Sequence, residues 1–452
     1  MNYAQAVSYL DSLTDFERLG FHRHFAETVS LDSAREFLRM LGDPHRAVPC
    51  VHIAGTKGKG STAAILDSVL SAAGYRTGLF TSPHLVSLRE RVRVGGEPIP
   101  EQALADCVEL VQPAHESVRG NPDFQPCTFF EAYLGIAALH FLREKVDIAI
   151  YETGLGGRLD ATNLVMPQVA AITTIGLDHT YILGETLDAI AREKAEISKP
   201  GVPLVVARNQ QSEALGAIRE VAAKNGAEAV LAPEVQRLEP PVKARINDAG
   251  DPVPPMDRFQ VRSALVATGE AVLDCPLIGA HQAWNVGVAV GVLEQLAARG
   301  YTVGGAELAD GLRKVRWPGR FDLRGAKPWL VLDCAHNPDS ARALATALRE
   351  YLDFHRLALV VGMSGDKDIA GFAHELAALS PSVVLTRASN PRALPPAELQ
   401  ERATPTWDDA ESADDPLEAL DRAMRTVGES GAVCVTGSFY VVGEIMQRLS
   451  FH

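Results

Sequence analysis

Apolar residues along the chain alternate between short continuous runs and stretches with helical spacing, a pattern typical of α/β proteins. Apolar positions from Leu31 to Leu41 recur at helical spacing and predict a short amphipathic helix before the first strand. The stretch 51–62 combines the end of a buried strand, a glycine-rich turn and the start of a helix that Gly74 terminates. The alternation continues with strands predicted at 77–81, 146–152, 169–175 and 203–207 and helices at 128–143, 186–198 and 212–225. This βαβ order predicts a mostly parallel sheet with helices on both faces.

The alternation breaks at 233–257, where proline and polar residues crowd, and we interpret that stretch as a surface excursion. Alternating residues at 259–277 predict a small antiparallel addition, and a further helix is predicted at 283–299. Strands are predicted again at 329–333, 357–362, 383–386 and 432–436. We therefore expect two α/β domains: a P-loop domain at 1–314 and a smaller, doubly wound Rossmann-like domain at 315–452.

Composition, net charge and cysteine spacing argue against several classes of function. The chain has 452 residues, and its 46% hydrophobic and 22% charged residues are ordinary for a soluble globular protein. A net charge of −14 argues against a general nucleic-acid or membrane-surface binder, because both need a cationic face. The six cysteines form no C-x-x-C pair, which favours a reducing compartment over a disulfide framework or a zinc site. With no apolar run of membrane-spanning length and no evident signal peptide, we expect a cytoplasmic protein.

The glycine-rich turn is the first candidate site. Gly55, Gly58 and Gly60 let the backbone approach a ligand closely, and the amides at the start of the following helix favour phosphate oxygens. Lys59 adds a positive charge, and Ser61 offers a hydroxyl. The turn departs from the G-x-x-x-x-G-K-[ST] pattern, because Gly60 stands at the hydroxyl position and Ser61 follows one place later. The alternative is a glycine turn that only joins a strand to a helix.

Polar residues at the ends of three predicted strands form the second candidate site. Ser82, Glu152 and Asp178-His179 each follow a strand, and ligands of open α/β sheets bind at that edge. A hydroxyl, a carboxylate and an imidazole beside a triphosphate predict a Mg²⁺ site completed by phosphate oxygens and water. Taken singly, Ser82 is also explained as a turn residue, Glu152 as a paired carboxylate and His179 as a helix cap or core histidine.

Three further residues are considered as candidates for the same site. Arg320 follows a Pro-Gly turn at the predicted domain junction, a position suited to neutralising phosphate charge across a cleft. Asn285 is either a partner for an adenine edge or a helix cap. Lys194 lies on an amphipathic helix, where most lysines are solvated.

The segment Asp333-Cys-Ala-His-Asn-Pro338 follows a predicted strand and leads into a helix that Pro338 opens. Asp333 is a candidate acceptor for a ribose hydroxyl, and His336 a candidate neighbour of a phosphate. The equally good alternative is that Asn337 simply caps the helix.

Taken together, these segments resemble the bacterial folylpolyglutamate synthase/dihydrofolate synthase family of the Mur-ligase superfamily. The resemblance runs in order along nearly the whole chain and leaves out mainly 233–257. Its motifs are Gly55-Thr-Lys-Gly-Lys-Gly-Ser61, Thr81-Ser-Pro-His-Leu85, Thr128-Phe-Phe-Glu131, Glu152-Thr-Gly-Leu-Gly-Gly-Arg-Leu-Asp-Ala-Thr-Asn163, Gly176-Leu-Asp-His-Thr180, His281-Gln282, Trp317-Pro-Gly-Arg-Phe321, Asp333-Cys-Ala-His-Asn-Pro338 and Gly437-Ser-Phe-Tyr-Val-Val-Gly-Glu444.

The resemblance implies a role for each matching position. It places the ATP loop on Gly58, Lys59, Gly60 and Ser61, further ATP contacts on Asn285, Arg320 and Asp333, and magnesium ligands on Ser82, Glu152 and His179. It places pterin-side contacts on Thr128, Phe129, Phe130, Glu131, Leu159, Asp160 and Ala161, and a carboxylated lysine on Lys194. Two departures are Cys334, where a small residue is usual, and Glu196, where glycine is usual.

The implied activity is ATP-dependent ligation of L-glutamate to a folate carboxylate through an acyl phosphate, with catalysis carried by Lys59, Glu152, His179, Lys194 and Arg320. The implied cofactors are ATP and Mg²⁺, and a monovalent cation such as K⁺ stays open. We expect a monomer whose partners are small molecules (a folate or dihydropteroate, L-glutamate and ATP), with no nucleic acid and no membrane. The alternatives are a Mur-type amino-acid ligase of cell-wall synthesis, a P-loop ATPase that makes no ligated product, and a binding protein that has lost catalysis.

Overall fold

An eight-stranded sheet, the first sheet, carries the glycine loop at the end of a central strand. The computed structural model describes residues 1–16 and 30–449. The strand order is β4-β3-β2-β5-β1-β6-β7-β8, with only β3 and β4 antiparallel to their neighbours. The strands are β1 Cys50–Ala54, β2 Thr77–Phe80, β3 Val92–Val94, β4 Glu97–Pro98, β5 Ile148–Glu152, β6 Val169–Ile172, β7 Leu204–Val206 and β8 Ala229–Leu231. Every residue of β1 and β5 is buried, as expected for central strands covered on both faces.

Helices cover both faces of the first sheet, as predicted. They are α1 Tyr3–Asp11, α2 Asp32–Met40, α3 Lys59–Ala72, α4 Glu101–Gly120, α5 Phe129–Arg143, α6 Thr180–Leu183, α7 Leu187–Ala195, α8 Ser212–Lys224, α9 Gln282–Ala297 and α10 Gly305–Lys314. Short 3₁₀ helices lie at Pro44–Arg46, Leu88–Arg91 and Ala161–Leu164. One hydrophobic core lies beneath α3, α9 and α10, and another lies beneath α1, α2, α4 and α5. The sequence did not predict α4, whose interior contains Pro113, nor did it predict α10.

The interpretation of 233–257 as a surface excursion is right about its exposure, since most of its residues are exposed or half-buried, but it missed the strands that the stretch forms. This stretch supplies β9 Val235–Val242 and the pair β10 Arg245–Ile246 and β11 Pro252–Val253. With β12 Met256–Arg262 and β13 Glu270–Cys275, β9 forms a three-stranded antiparallel sheet, the small sheet, in the order β13-β12-β9. Pro240 and Pro241 fall near the end of the edge strand β9, where a missing backbone N–H is tolerated.

The second sheet is built from residues after 321 in the order β14-β15-β19-β16-β17-β18. Its strands are β14 Asp322–Ala326, β15 Trp329–Leu332, β16 Leu357–Val361, β17 Ser382–Leu385, β18 Glu411–Ser412 and β19 Ala432–Thr436. Its helices are α11 Pro338–Tyr351, α12 Ile369–Ala377, α13 Pro396–Ala403, α14 Pro416–Val427 and α15 Phe439–Leu449. Separate cores lie under α11 with α12 and under α14 with α15, so the sheet is doubly wound as predicted. The antiparallel edge strand β14 and the short β18 were not predicted.

Within residues 1–16 and 30–449, we find no helix with both the length and the apolar character needed to cross a bilayer.

Candidate active site

Loops at the ends of the first and second sheets enclose a cavity of about 1060 Å³. All the residues that the sequence assigned to ATP, metal or pterin line this cavity: Gly58, Lys59, Gly60, Ser61, Ser82, Thr128, Phe129, Phe130, Glu131, Glu152, Leu159, Asp160, Ala161, His179, Asn285, Arg320, Asp333 and His336. The assigned residue outside the lining is Lys194, which is buried behind it. The chain therefore brings its candidate residues together from both sheets.

The glycine loop is shaped by close contacts. Gly58 has φ +89° and precedes α3, whose first-turn N–H groups donate to no capping side chain. A Cβ atom at Gly58 would overlap the amide of Asn285, and one at Gly60 would lie 2.9 Å from the Trp317 ring. Lys59 Nζ donates to the Gly55 carbonyl at 3.3 Å. Open amides at a helix start, with a lysine beside them, are suited to binding phosphate oxygens.

Ser82 and Glu152 lie at the ends of β2 and β5, and His179 lies in the connection after β6, directly before α6. The backbone N–H of Ser82 donates to Glu152 Oε2 at 3.4 Å, so the first two residues are direct neighbours. Burial lowers the pKa of His179 below its usual range, against the raising effect of Asp178, so its imidazole is neutral at pH 7. Within 1–16 and 30–449, no group of three or more His, Cys, Asp or Glu side chains is arranged to hold a metal ion. A hydroxyl with one carboxylate still fits Mg²⁺, which commonly takes its remaining ligands from phosphate and water.

The second sheet presents Arg320, Asp333 and His336 to the cavity. The Arg320 guanidinium lies 5.1 Å from the centre of the Phe439 ring. Asp333 accepts hydrogen bonds from the N–H of Phe321 at 2.8 Å and of Ala335 at 2.9 Å, so it fixes the loop that carries Arg320.

The protonation state and tautomer of His336 follow from its burial and from one hydrogen bond. Burial lowers the pKa of His336 to about 4, and its Nδ1–H donates to the Cys334 carbonyl at 2.8 Å. Its Nε2 is then a hydrogen-bond acceptor, which suits a donor group better than the phosphate oxygen that the sequence suggested. Asn337 caps α11 by accepting the N–H of Ser340 at 3.0 Å, as the alternative interpretation held.

On the expected pterin side, the polar residues have partners within the protein. Thr128 and Glu131 cap the start of α5 reciprocally. Asp160 accepts hydrogen bonds from the N–H of Leu155 at 2.9 Å and of Thr162 at 3.0 Å, and burial raises its pKa. Phe130 also lines the cavity here, in edge contact with Phe80 at 5.5 Å between ring centres.

Lys194 is buried, and the interpretation of it as a solvated surface lysine is wrong. Its residue is 4% exposed, and burial lowers its pKa to about 7, with Lys59 adding to the effect. Glu196, the departure from the family pattern, accepts a hydrogen bond from Asn225 at 3.1 Å and pairs with Lys224 at 3.6 Å. Glu196 thus has partners of its own.

Among the cations of the cavity lining that were missed, two belong to the second sheet. Lys367 follows β16 and Arg392 follows β17, and both pair with Asp366, at 3.3 Å and 2.7 Å. The strand-end rule that found Ser82 and Glu152 would have found both cations had it been applied to the second sheet.

Direct contacts join the parts of the chain that carry the two sheets. Lys57 in the glycine loop pairs with Asp339 at the start of α11, with 2.5 Å between nitrogen and oxygen. Leu85, three residues after Ser82, packs against two glycines: a Cβ at Gly443 would overlap the Leu85 carbonyl, and one at Gly319 would lie 3.0 Å from its side chain.

Several known proteins are similar to this chain over nearly its whole length. The model of the Mur ligase, glutamate ligase domain matches residues 319–439. Dihydrofolate synthase/folylpolyglutamate synthase of Escherichia coli is 34% identical over 447 residues, covering 98% of this chain and 94% of that protein. The chain belongs to the folylpolyglutamate synthase/dihydrofolate synthase family.

Two more relatives of this family member are informative. The solved structure of Escherichia coli FolC in complex with DHPP and ADP superposes with a TM-score of 0.81 at 31% identity, covering 100% of this chain and 98% of that chain. A probable bifunctional folylpolyglutamate synthase/dihydropteroate synthase of Haloferax volcanii is 37% identical over 449 residues, or 98% of this chain. The chain spans about half the length (50%) of that archaeal relative.

Proposed function

We propose that this protein is an ATP-dependent ligase that joins L-glutamate to a carboxylate of a folate. The acceptor is dihydropteroate, a folate that already carries glutamate, or both. One observation carries the proposal: the glycine loop with Lys59, from the first sheet, and Arg320, from the loop before the second sheet, line the same cavity. The DHPP and ADP bound by the Escherichia coli relative support a pterin and a nucleotide as ligands of this cavity.

In the proposed reaction, the substrate carboxylate attacks the γ-phosphorus of ATP in line, and ADP leaves. Lys59 and Arg320 neutralise the charge that spreads over the transferring phosphoryl group. The resulting acyl phosphate makes the carbonyl carbon electrophilic, so the amine of L-glutamate adds to it. The tetrahedral intermediate then expels phosphate and leaves an amide. Closure of the cleft between the two sheets over the bound substrates would keep water from hydrolysing the acyl phosphate.

Ser82, Glu152 and His179 are the residues proposed to hold Mg²⁺ together with phosphate oxygens. When bound, the ion supplies positive charge to the phosphates. The neutral imidazole of His179 is in the protonation state that a metal ligand requires. We infer that Lys194, whose pKa near 7 leaves much of it as a free amine, is the residue that adds CO₂. We also propose that the chain divides into two domains near residue 315.

The test incubates the purified protein with ATP, Mg²⁺ and L-glutamate and offers dihydropteroate and tetrahydrofolate in separate reactions. We expect ADP and phosphate in equal amounts, and mass spectrometry should find an acceptor enlarged by one glutamyl residue. The absence of ADP and phosphate with both acceptors would overturn the proposal. ATP hydrolysis at the same rate with and without an acceptor would instead identify an ATPase.

A further inference from the structure

A buried polar cluster lies where the small sheet meets the end of α11. At its centre, Asp257 of β12 is 0% exposed. Asp257 Oδ1 accepts hydrogen bonds from Arg237 Nε at 2.8 Å and from the Tyr351 hydroxyl at 2.6 Å, and its Oδ2 accepts the N–H of Gly279 at 2.7 Å. Arg237 also pairs with Glu350 at 2.7 Å. We call these five residues the Asp257 cluster; none of them lines the cavity.

Gly279 links the Asp257 cluster to the glycine loop through an unbroken series of contacts. The carbonyl of Gly279 accepts the N–H of Gln282, the first residue of α9, at 2.9 Å. The side chain of Gln282 accepts a hydrogen bond from the amide of Asn285 at 2.8 Å, and both side chains are buried. Asn285 in turn packs against Gly58 so closely that a Cβ there would overlap it. The position of Gly279 therefore determines how α9 presents Gln282 and Asn285 to the loop.

Two members of the Asp257 cluster come from α11, the helix that follows the cavity-lining segment 333–337. Glu350 and Tyr351 are the last residues of α11, whose first turn carries Asp339, the partner of Lys57. A helix of 14 residues is about 21 Å long and stiff. Consequently α11 is attached at both ends to parts of the chain that shape the glycine loop.

We propose that Tyr351 and Asp257 are positioning residues for nucleotide binding, which act by fixing Gly279 and thereby the start of α9. Neither residue touches the ligand; both connect the orientation of α11 to the placement of Gln282 and Asn285. This inference rests on the proposed function only in that the cavity binds ATP. It also gives the stretch 233–257 a role, because Arg237 belongs to it and Asp257 ends it.

The test uses Tyr351→Phe, which removes one hydroxyl and keeps the ring. The Tyr351 hydroxyl also accepts the N–H of Gly279, at 3.1 Å. The matched control is therefore Tyr75→Phe, because the Tyr75 hydroxyl likewise accepts a backbone N–H, that of Thr302 at 2.6 Å, and Tyr75 does not line the cavity. Calorimetric titration with a non-hydrolysable ATP analogue should show a Kd raised about tenfold in Tyr351→Phe and unchanged in Tyr75→Phe. In an active enzyme, KM for ATP should rise likewise while KM for the folate stays within about twofold. An unchanged Kd in Tyr351→Phe, or an equal rise in both variants, overturns the proposal.

Hydrogen exchange of the nucleotide-free protein supplies a readout that does not depend on ligase activity. Amides of 279–285 should exchange faster in Tyr351→Phe than in the wild type, whereas those of α3 should not change. Equal acceleration throughout the chain would show a general loss of stability and refute positioning. If Tyr351→Phe does not fold, Glu350→Gln applies the same test by removing a partner of Arg237 at a partly exposed position. A wild type that binds the analogue but makes no glutamylated product fails the proposed function and leaves this inference intact.

Discussion

Replacing Lys194 with methionine should make the protein more stable near neutral pH and flatten the dependence of its stability on pH. The lysine is buried at the end of α7, and its pKa falls from the ordinary value of 10.5 to about 7. Burial is the main cause, and the neighbouring charge of Lys59 is the second. Methionine has a similar length and no charge to desolvate, so it avoids the cost of keeping an ammonium in this position.

The sign and size of the effect follow from proton linkage. Between pH 7 and pH 10.5 the unfolded chain binds a proton at Lys194 that the folded chain has released, so stability rises with pH in this window. Each unit of pKa shift corresponds to about 1.4 kcal/mol of free energy. Raising the pH from 7 to 9 should therefore increase the free energy of unfolding by about 2 kcal/mol through Lys194 alone. Below pH 7 the folded protein also binds the proton, and the penalty reaches its full value of about 5 kcal/mol.

Urea unfolding in CO₂-free buffer without Mg²⁺ measures this contribution at pH 7, 8 and 9. From pH 7 to pH 9, the free energy of unfolding should increase by about 2 kcal/mol more in the wild type than in Lys194→Met. The control is Lys224→Met, whose lysine side chain is 73% exposed and which should keep the wild-type slope. If the wild type and Lys194→Met show the same slope, Lys194 does not carry the proton and the argument from burial is refuted. Adding ¹³C-labelled bicarbonate should then produce a carbamate signal in the NMR spectrum of the wild type and none in Lys194→Met.

Three other variants test the site. Lys59→Met should lower the rate of ADP formation at least about 100-fold, because the variant lacks the positive charge that stabilises the transferring phosphoryl group. A coupled ADP assay measures this rate. Glu152→Gln should raise the Mg²⁺ concentration that gives half-maximal activity by about tenfold, and an unchanged Mg²⁺ titration would exclude this carboxylate as a ligand. Gly58→Ala should abolish detectable nucleotide binding in calorimetry, since the loop has φ +89° there and the new Cβ would overlap Asn285. Its control, Gly216→Ala, fills open space on the exposed face of α8 and should raise stability by about 0.5–1 kcal/mol in thermal unfolding.

The sequence predicted best what depends on local pattern and on the geometry of parallel sheets. Ser82, Glu152 and His179 could be grouped before any coordinates were known, because the carboxyl ends of parallel strands share one edge. The start of α11 at Pro338 and the cap at Asn337 are likewise local signals that the structure reproduces.

What the sequence missed depends on contacts between distant segments. The burial of Lys194 has no local signal: a Cβ at Gly157 would lie 2.7 Å from the Lys194 carbonyl, so a distant glycine turn packs on the end of α7. The strand β9 was hidden because its prolines indicate a loop, while its pairing partner β12 lies further along the chain. Edge position and strand pairing are properties of the assembled sheet, and a single sequence does not display them.

The contact at Leu85 has a consequence for how the protein can be altered. Gly443 contacts the backbone carbonyl of Leu85 with no side chain between them. A change of side-chain rotamer therefore cannot make room for a larger residue at this position. A methyl group added at Gly443 would push Leu85 away from α15. It would thereby displace the backbone segment that leads back to Ser82. We therefore expect a small change at Gly443 of α15 to displace Ser82, and to alter the proposed reaction before it alters folding.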